Sequence, residues 1–221
     1  MEAQSLEING YELLMKLMDS SYIMCEDETS QGVTVDVGCR HLSPCWPNPL
    51  FSLYYRKLYE AYAVGPVIVW HHKRIVGFLP MSVNGCGLPQ MPLCVHYTGG
   101  IAYGAEYHID LPMIQGAIPY PFDKLTHKEI GIGCMSVHHA MRGQNLARLM
   151  IQYIINWGRQ NGWDRVVARA MMDGEPYSFY PTSSFWIGAG FKPIGPVHRF
   201  GPSGDAIDQS RAIDLAFDLN D

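Results

Sequence analysis

The chain has 221 residues, 48% of them hydrophobic and 17% charged, with a formal net charge of -5 and a pI near 6.0. That apolar share is enough for one proper core and the charge density too low for disorder, so one domain, with or without an insertion, fits the length. The negative balance argues against nucleic acid or an anionic membrane as the main partner, since both reward basic surfaces.

The N-terminus, MEAQSLEING, is not basic and leads into no long apolar run, so it reads as no signal peptide. No uncharged apolar run elsewhere approaches membrane-spanning length, and a cytoplasmic protein is expected. A helix is predicted over Tyr11 to Met18 and a strand over Val33 to Val37, where apolar and polar residues alternate. HLSPCWPNP, residues 41–49, holds three prolines in nine residues and must be irregular. Leu50 to Ala63 reads as a helix ending before Gly65, and Pro66 to Ser82 as a β-hairpin whose arms flank His-His-Lys. Residues 84–128 are rich in Gly, Pro and Tyr, and a stretch of that length without periodicity reads as a functional loop or lid, with short strands open around Tyr97 to Tyr103.

From Glu129 the pattern sharpens. EIGIGCMSV is a predicted strand. The helix after it carries Leu146, Leu149, Met150, Tyr153, Ile154 and Trp157 on one face, and Asn161-Gly162 stops it because both residue types tolerate the left-handed conformation. Asp164 to Ala170 is a strand, Thr182 to Ala189 a short helix, Phe191 to Ile194 and Ala212 to Phe217 further strands.

Six cysteines, Cys25, Cys39, Cys45, Cys86, Cys94 and Cys134, show no CxxC pair and read as reduced core thiols. Nine histidines include the doublets His71-His72 and His138-His139, neither with a cysteine or carboxylate at metal-ligand spacing, so no metal is expected. Glu106, His108 and Asp110 alternate within the 84–128 segment, where metal binding, substrate contact and plain solvation stay open.

The stretch MRGQNLARLM, residues 141–150, places Arg-Gly and two amides at the entry of the most regular helix. Strand, loop and helix N-terminus together present unpaired N–H groups at the positive end of a dipole, to which phosphate oxygens bind naturally. Gly143 lets backbone approach a ligand, Asn145 accepts unusual backbone angles, and Arg142 adds a forked cation. An ordinary helix cap with a surface arginine is the alternative.

Arg142 to Ala147, RGQNLA, resembles the pyrophosphate loop Q/R-x-x-G-x-G/A of the GNAT superfamily of acyl-CoA-dependent N-acetyltransferases, with Asn145 at the fourth position instead of glycine. FWIGAGFKPIG, Phe185 to Gly195, resembles that family's later helix-to-strand block, in which an aromatic pair precedes Gly-Phe. The resemblance implies an α/β (α+β) fold with a mixed, mostly antiparallel sheet splayed at the cofactor site. In that reading one domain spans 1–221: a strand and helix region (1–65), a hairpin (66–83), an insertion or lid (84–128), the acyl-CoA-binding core (129–195) and a C-terminal strand region (196–221). It implies acetyl-CoA or another acyl-CoA as cosubstrate. The backbone of Arg142, Gly143, Gln144, Asn145, Leu146 and Ala147 would hold the pyrophosphate. The strand Cys134, Met135, Ser136, Val137 would flank the pantetheine and part from the next strand near Val167, and an N–H near Met135 would polarise the thioester carbonyl.

Acyl transfer to an amine needs a deprotonated nucleophile. Glu129, at the head of the strand and thirteen residues before Arg142, resembles the glutamate base of histone-acetylating members. The position of the family's tyrosine acid is Trp186, which has no proton of useful pKa, and Tyr180 is the candidate in its place. Ser183 and Ser184 are open to capping the later helix or touching pantetheine. His138 and His139 stand between strand and loop, with surface placement the alternative to a role as base or cofactor contact. The leading expectation is an N-acetyltransferase acting on a primary amine of a small molecule. A CoA-binding regulatory module without turnover and a protein lysine or N-terminal acetyltransferase are the alternatives, and a homodimer is compatible with each.

Overall fold

The computed structural model describes residues 3–8, 11–17, 34–35, 49–72, 74–89, 96–98, 101–103, 111–132, 135–175, 181–199 and 209–220. β1 (Gln4–Ile8) and β2 (Tyr11–Leu17) form an antiparallel pair that joins β4 (Val67–His71) through β2. The helix predicted at Tyr11 to Met18 is therefore a strand. Its residues alternate, with Leu13 and Met15 buried and Glu12 and Leu14 exposed, which is the two-residue period of a sheet with one face on the core.

β4 turns into β5 (Arg74–Leu79), and β3 (Thr34–Val35) adds to β5 in parallel. Pro80 then interrupts the run, and β6 (Met81–Val83) leaves for a different sheet. The predicted single hairpin arm is thus two strands serving two sheets. Proline cannot donate to a ladder, so the break falls where the chain changes partners. In the 84–128 segment β7 (His96–Thr98) and β8 (Ile101–Tyr103) form a hairpin, followed by a short helix, α2, at Leu111–Gly116. The preceding helix, α1 (Pro49–Tyr62), begins on proline, whose missing N–H costs nothing in a first turn. Lys57 on α1 reaches the end of α2 and donates from Nζ to Gln115 O (2.9 Å) and Ala117 O (2.5 Å).

The second sheet is built on β9 (Glu129–Ile132), which pairs antiparallel with β6 and parallel with β11 (Arg165–Met171). β11 pairs along its whole length with β14 (Arg211–Asp218), against which β12 (Lys192–Pro193) and β13 (His198–Arg199) also lie. β10 (Ser136–Val137), only four residues beyond β9, belongs to the first sheet through β5. α3 (Leu146–Gln160) packs on β5, β10 and β11, and α4 (Ser183–Gly188) on β11 and β14. One apolar core joins both sheets: Val67, Val69 and Val76 from one, Ile130, Val166 and Leu215 from the other, Met150 and Ile154 from α3. Gly77 lets α3 come close, since a Cβ there would stand 3.1 Å from Met150 Sδ. At the far end of α3, Asn161 Nδ2 caps Trp157 O at 2.7 Å and Gly162 takes the left-handed turn (φ 72°), as the sequence predicts.

Candidate active site

The loop of interest follows β10 directly. His138 N–H extends the β5 ladder by donating to Val76 O (2.8 Å), a single 3-10 turn covers His139–Met141, and α3 starts after Asn145. Two loop residues take left-handed backbone: Gly143 at φ 74° and Asn145 at φ 66°, ψ 6°. The departure of Asn145 from the glycine of the pattern thus has a physical account, because asparagine is the side chain that enters this region at least cost. The Asn145 side chain makes no capping bond. The first helical bond runs from Leu149 N–H to Asn145 O (3.1 Å), so the amides of Leu146, Ala147 and Arg148 lie ahead of it at the positive end of a fifteen-residue helix. Arg142 is exposed and is steadied from behind, its Nε donating to Val137 O at 3.2 Å. Gln144 Nε2 donates to Ala140 O at 2.8 Å.

Beside this loop the sheet parts. The parallel ladder of β9 and β11 ends at Ile132 opposite Ala168. Beyond it β11 continues through Arg169, Ala170 and Met171 with β14 as its only strand partner among the described residues, while Met135, Ser136 and Val137 have turned to β5. The strands separate one residue past Val167, and the cleft between them opens toward the loop. Met135 is half-buried there and Ser136 buried. Cys134 lies outside the described residues.

The far wall is α4. Its start is tied to the end of β11 by a parallel bridge between Met171 and Thr182 and by Asp173. Asp173 Oδ2 accepts from Ser183 Oγ (2.9 Å) and Ser184 N–H (3.2 Å), and Oδ1 from Ser184 Oγ (2.8 Å). Hydrogen bonds from Thr182, Ser184 and Ser183 hold the Asp173 carboxyl down at about 2. Ser183 and Ser184 are therefore both engaged by this carboxylate, Ser183 buried and Ser184 exposed. Asp173 was not singled out from the sequence. An Asp-Gly after a strand signals only a turn, and nothing in the spacing announces that two serines ten and eleven residues later will meet it. Across the mouth, Arg148 of α3 approaches α4, for a Cβ on Gly188 would lie 3.0 Å from Arg148 Nη2.

Glu129 begins β9, at the end of the β9–β11 ladder away from the parting, and is buried. Its Oε1 accepts from both Nε (2.6 Å) and Nη2 of Arg165, the residue opposite it in the ladder. Its Oε2 accepts from Asn84 Nδ2 (3.2 Å), and its main-chain oxygen from Asn84 N–H (3.2 Å). Three elements, β9, β11 and the end of β6, are pinned by this one side chain. His138 Nδ1 accepts from Ala140 N–H, and its ring lies tilted against that of His139 with centroids 4.2 Å apart, at the loop. Tyr180, like Glu106, His108 and Asp110, lies outside the described residues.

A sheet parted beside a left-handed loop and the start of a long helix turns main-chain amides toward the positive end of the helix dipole, an arrangement suited to an anionic group. The chain belongs to the acetyltransferase (GNAT) family, whose model matches residues 36–178, more than half of its length. No curated protein matches it in sequence. Among solved structures it overlays the GphF GNAT-like decarboxylase in complex with isobutyryl-CoA with a TM-score of 0.52 at 14% identity, covering 93% of this chain and 98% of that one. An N-acetyltransferase from Staphylococcus aureus Mu50 gives 0.49 at 11% identity, with 94% and 98% covered. The ribosomal-protein-S18-alanine N-acetyltransferase from Escherichia coli gives 0.49 at 10%, with 94% of each chain covered. The mixed α/β fold, sheets flanked by helices, is that of the family.

Proposed function

We propose that the protein is an acyl-CoA-dependent N-acyltransferase that moves an acetyl or other short acyl group onto the primary amine of a small molecule. The observation that carries the reading is the parting of β10 from β11 directly beside the uncapped amides of Leu146 to Arg148. Those amides, with Gly143 and Arg142, would take the diphosphate, and the cleft the pantetheine arm. A main-chain N–H near Met135 would meet the thioester oxygen as charge builds there. The amine nitrogen attacks the thioester carbon, the C–S bond breaks, and the products are an amide and CoA thiol. The proton lost by nitrogen balances the one gained by sulfur.

Glu129 enters this reading differently from the sequence expectation. With Oε1 given to Arg165 and Oε2 to Asn84, we assign it to pinning β6, β9 and β11 together, and the amine gives its proton to water. Tyr180 remains the residue proposed to protonate the departing thiolate. Support for a small acceptor comes from the 84–128 segment, where α2 and the residues after it are tied to α1 by Lys57 and by Tyr62, which donates to Tyr120 O at 2.6 Å.

The test mixes the protein with acetyl-CoA and a panel of amines and peptides and follows thiol release. Turnover on small amines is the expected result. Turnover on peptides alone would move the acceptor to proteins, and binding without turnover would leave a CoA-binding module. Tyr180→Phe should lower kcat more than it changes KM.

A further inference from the structure

The sheet built on β9 has two unlike faces. Met81, Val83, Ile130, Ile132, Val166 and Ala168 turn to the core, where α3 and α4 pack. The residues that alternate with them, Ser82, Asn84, Glu129 and Gly131, lie on the opposite face. Gly131 leaves a gap there. A Cβ at residue 131 would collide with Ser82 Oγ and stand 3.5 Å from Asn84 Oδ1, so both oxygens converge on the space a side chain would take. Ser82 and Asn84 are each half-buried rather than sealed.

This spot is one residue short of the parting. Gly131 pairs with Ser82 on one side and Val167 on the other, and the next pair, Ile132 with Ala168, is the last before β11 loses β9. One residue of strand is about 3.3 Å. Glu129 decides which end of Asn84 faces the spot. A carboxylate only accepts, so the amide must turn Nδ2 to Glu129 Oε2 (3.2 Å), which leaves Oδ1 as the end near Gly131. Oδ1 accepts nothing from the described residues and is not enclosed. Ser82 Oγ donates only weakly to Gly131 O, at 3.5 Å, and keeps its lone pairs. Two acceptors side by side fit a group with two N–H donors. Neither is charged, and the Glu129 carboxylate is already paired with Arg165, so a nitrogen is held without the bias to its ammonium form that a bare carboxylate would add.

Resting on the acyltransferase reading above, we infer that Ser82 and Asn84 seat the acceptor's primary amine, one N–H on Ser82 Oγ and the other on Asn84 Oδ1. The third proton of the ammonium goes to water, and the lone pair it leaves attacks the thioester carbon. A secondary amine, once neutral, has a single N–H and fills only one of the two positions. The pair therefore selects primary amines.

The test takes each amine whose acylation releases thiol, free or on a peptide, beside the same amine carrying one N-methyl group. The N-methyl amine should be poorer in kcat/KM by about three- to tenfold, the scale of one hydrogen bond. Ser82→Ala should lower kcat/KM for the primary amine by a similar factor and leave the N-methyl amine close to its starting value, which narrows the preference. Asn84→Ala should narrow it likewise. Calorimetry with acetyl-CoA should be unchanged in Ser82→Ala, since its oxygen touches the amine and not the cofactor. If either variant keeps the full preference, or if Ser82→Ala loses acetyl-CoA binding in step with the rate, the seat is overturned and the acyltransferase reading stands. If no amine releases thiol, that reading falls and the seat with it.

Discussion

Asn145 shows how a departure from a pattern can preserve its physics. The loop requires a left-handed residue at φ 66°, and asparagine satisfies that with a side chain the helix does not use. Alanine there would keep the helix propensity and lose the conformation, at a cost of about 1–2 kcal/mol. Asn145→Ala should therefore lower the urea midpoint and weaken CoA binding together, because the amides ahead of Leu149 lose their aim. Asn145→Gly should leave both close to the starting protein. Equal behaviour of the two variants would remove backbone strain from the account. The sequence made this residue visible, since Asn among few types accepts such angles. It did not reveal Asp173 or the partners of Glu129, which are set by strands meeting from distant parts of the chain.

At the level of elements, α3, β11 and α4 were legible, because each carries a period or a stop signal that local sequence supplies, whereas EIGIGCMSV, read as one strand, divides into β9 and β10 of different sheets. Tyr11–Leu17 was not. YELLMKL holds apolar residues that fit a helical stripe and an alternating strand alike, and the sheet wins because β4 offers a partner. The Asn9-Gly10 pair before it was the turn signal that favours a hairpin. The attachment of α4 to β11 makes its own prediction. Asp173 is held at about 2 in the folded protein by Thr182, Ser184 and Ser183, below its ordinary 3.8. A depressed carboxyl stabilises the fold above its unfolded value, and that contribution is lost as the pH falls through the folded one, here between about pH 4 and pH 2. Thermal unfolding of the unsubstituted protein should therefore soften across that window more than that of Asp173→Asn, whose side chain does not titrate. Parallel curves for the two proteins would mean that the serines do not hold the carboxylate in solution.

On the scale of the whole molecule, the cleft exists because the described chain changes between the two large sheets three times, at Pro80 between β5 and β6, between β9 and β10, and by way of α3 between β10 and β11. Proline and a Gly-Cys pair mark the first two points in the sequence, yet their consequence needs both sheets to be seen. The second sheet must keep its strands together for the parting to hold its shape, and Glu129 with Arg165 and Asn84 pins β6, β9 and β11 at the other end of their ladders. A fastener and a base make different predictions for the same substitutions. Glu129→Gln keeps the shape and a hydrogen bond but leaves Arg165, whose side chain is 34% exposed, without its charge partner. Because Arg165 can partly turn to water, the stability loss should be about 1–2 kcal/mol, less than for a fully buried pair. The rate of acyl transfer should then fall by one factor at every pH, and Arg165→Gln should reproduce that factor, since either change loosens the same joint. A base would behave otherwise: Glu129→Gln would cost most near neutral pH and little at alkaline pH, where the amine is already deprotonated, and Arg165→Gln would not copy that profile. The pH–rate curves of the two variants, read beside their urea midpoints, therefore decide whether Glu129 fastens the sheet or takes the proton.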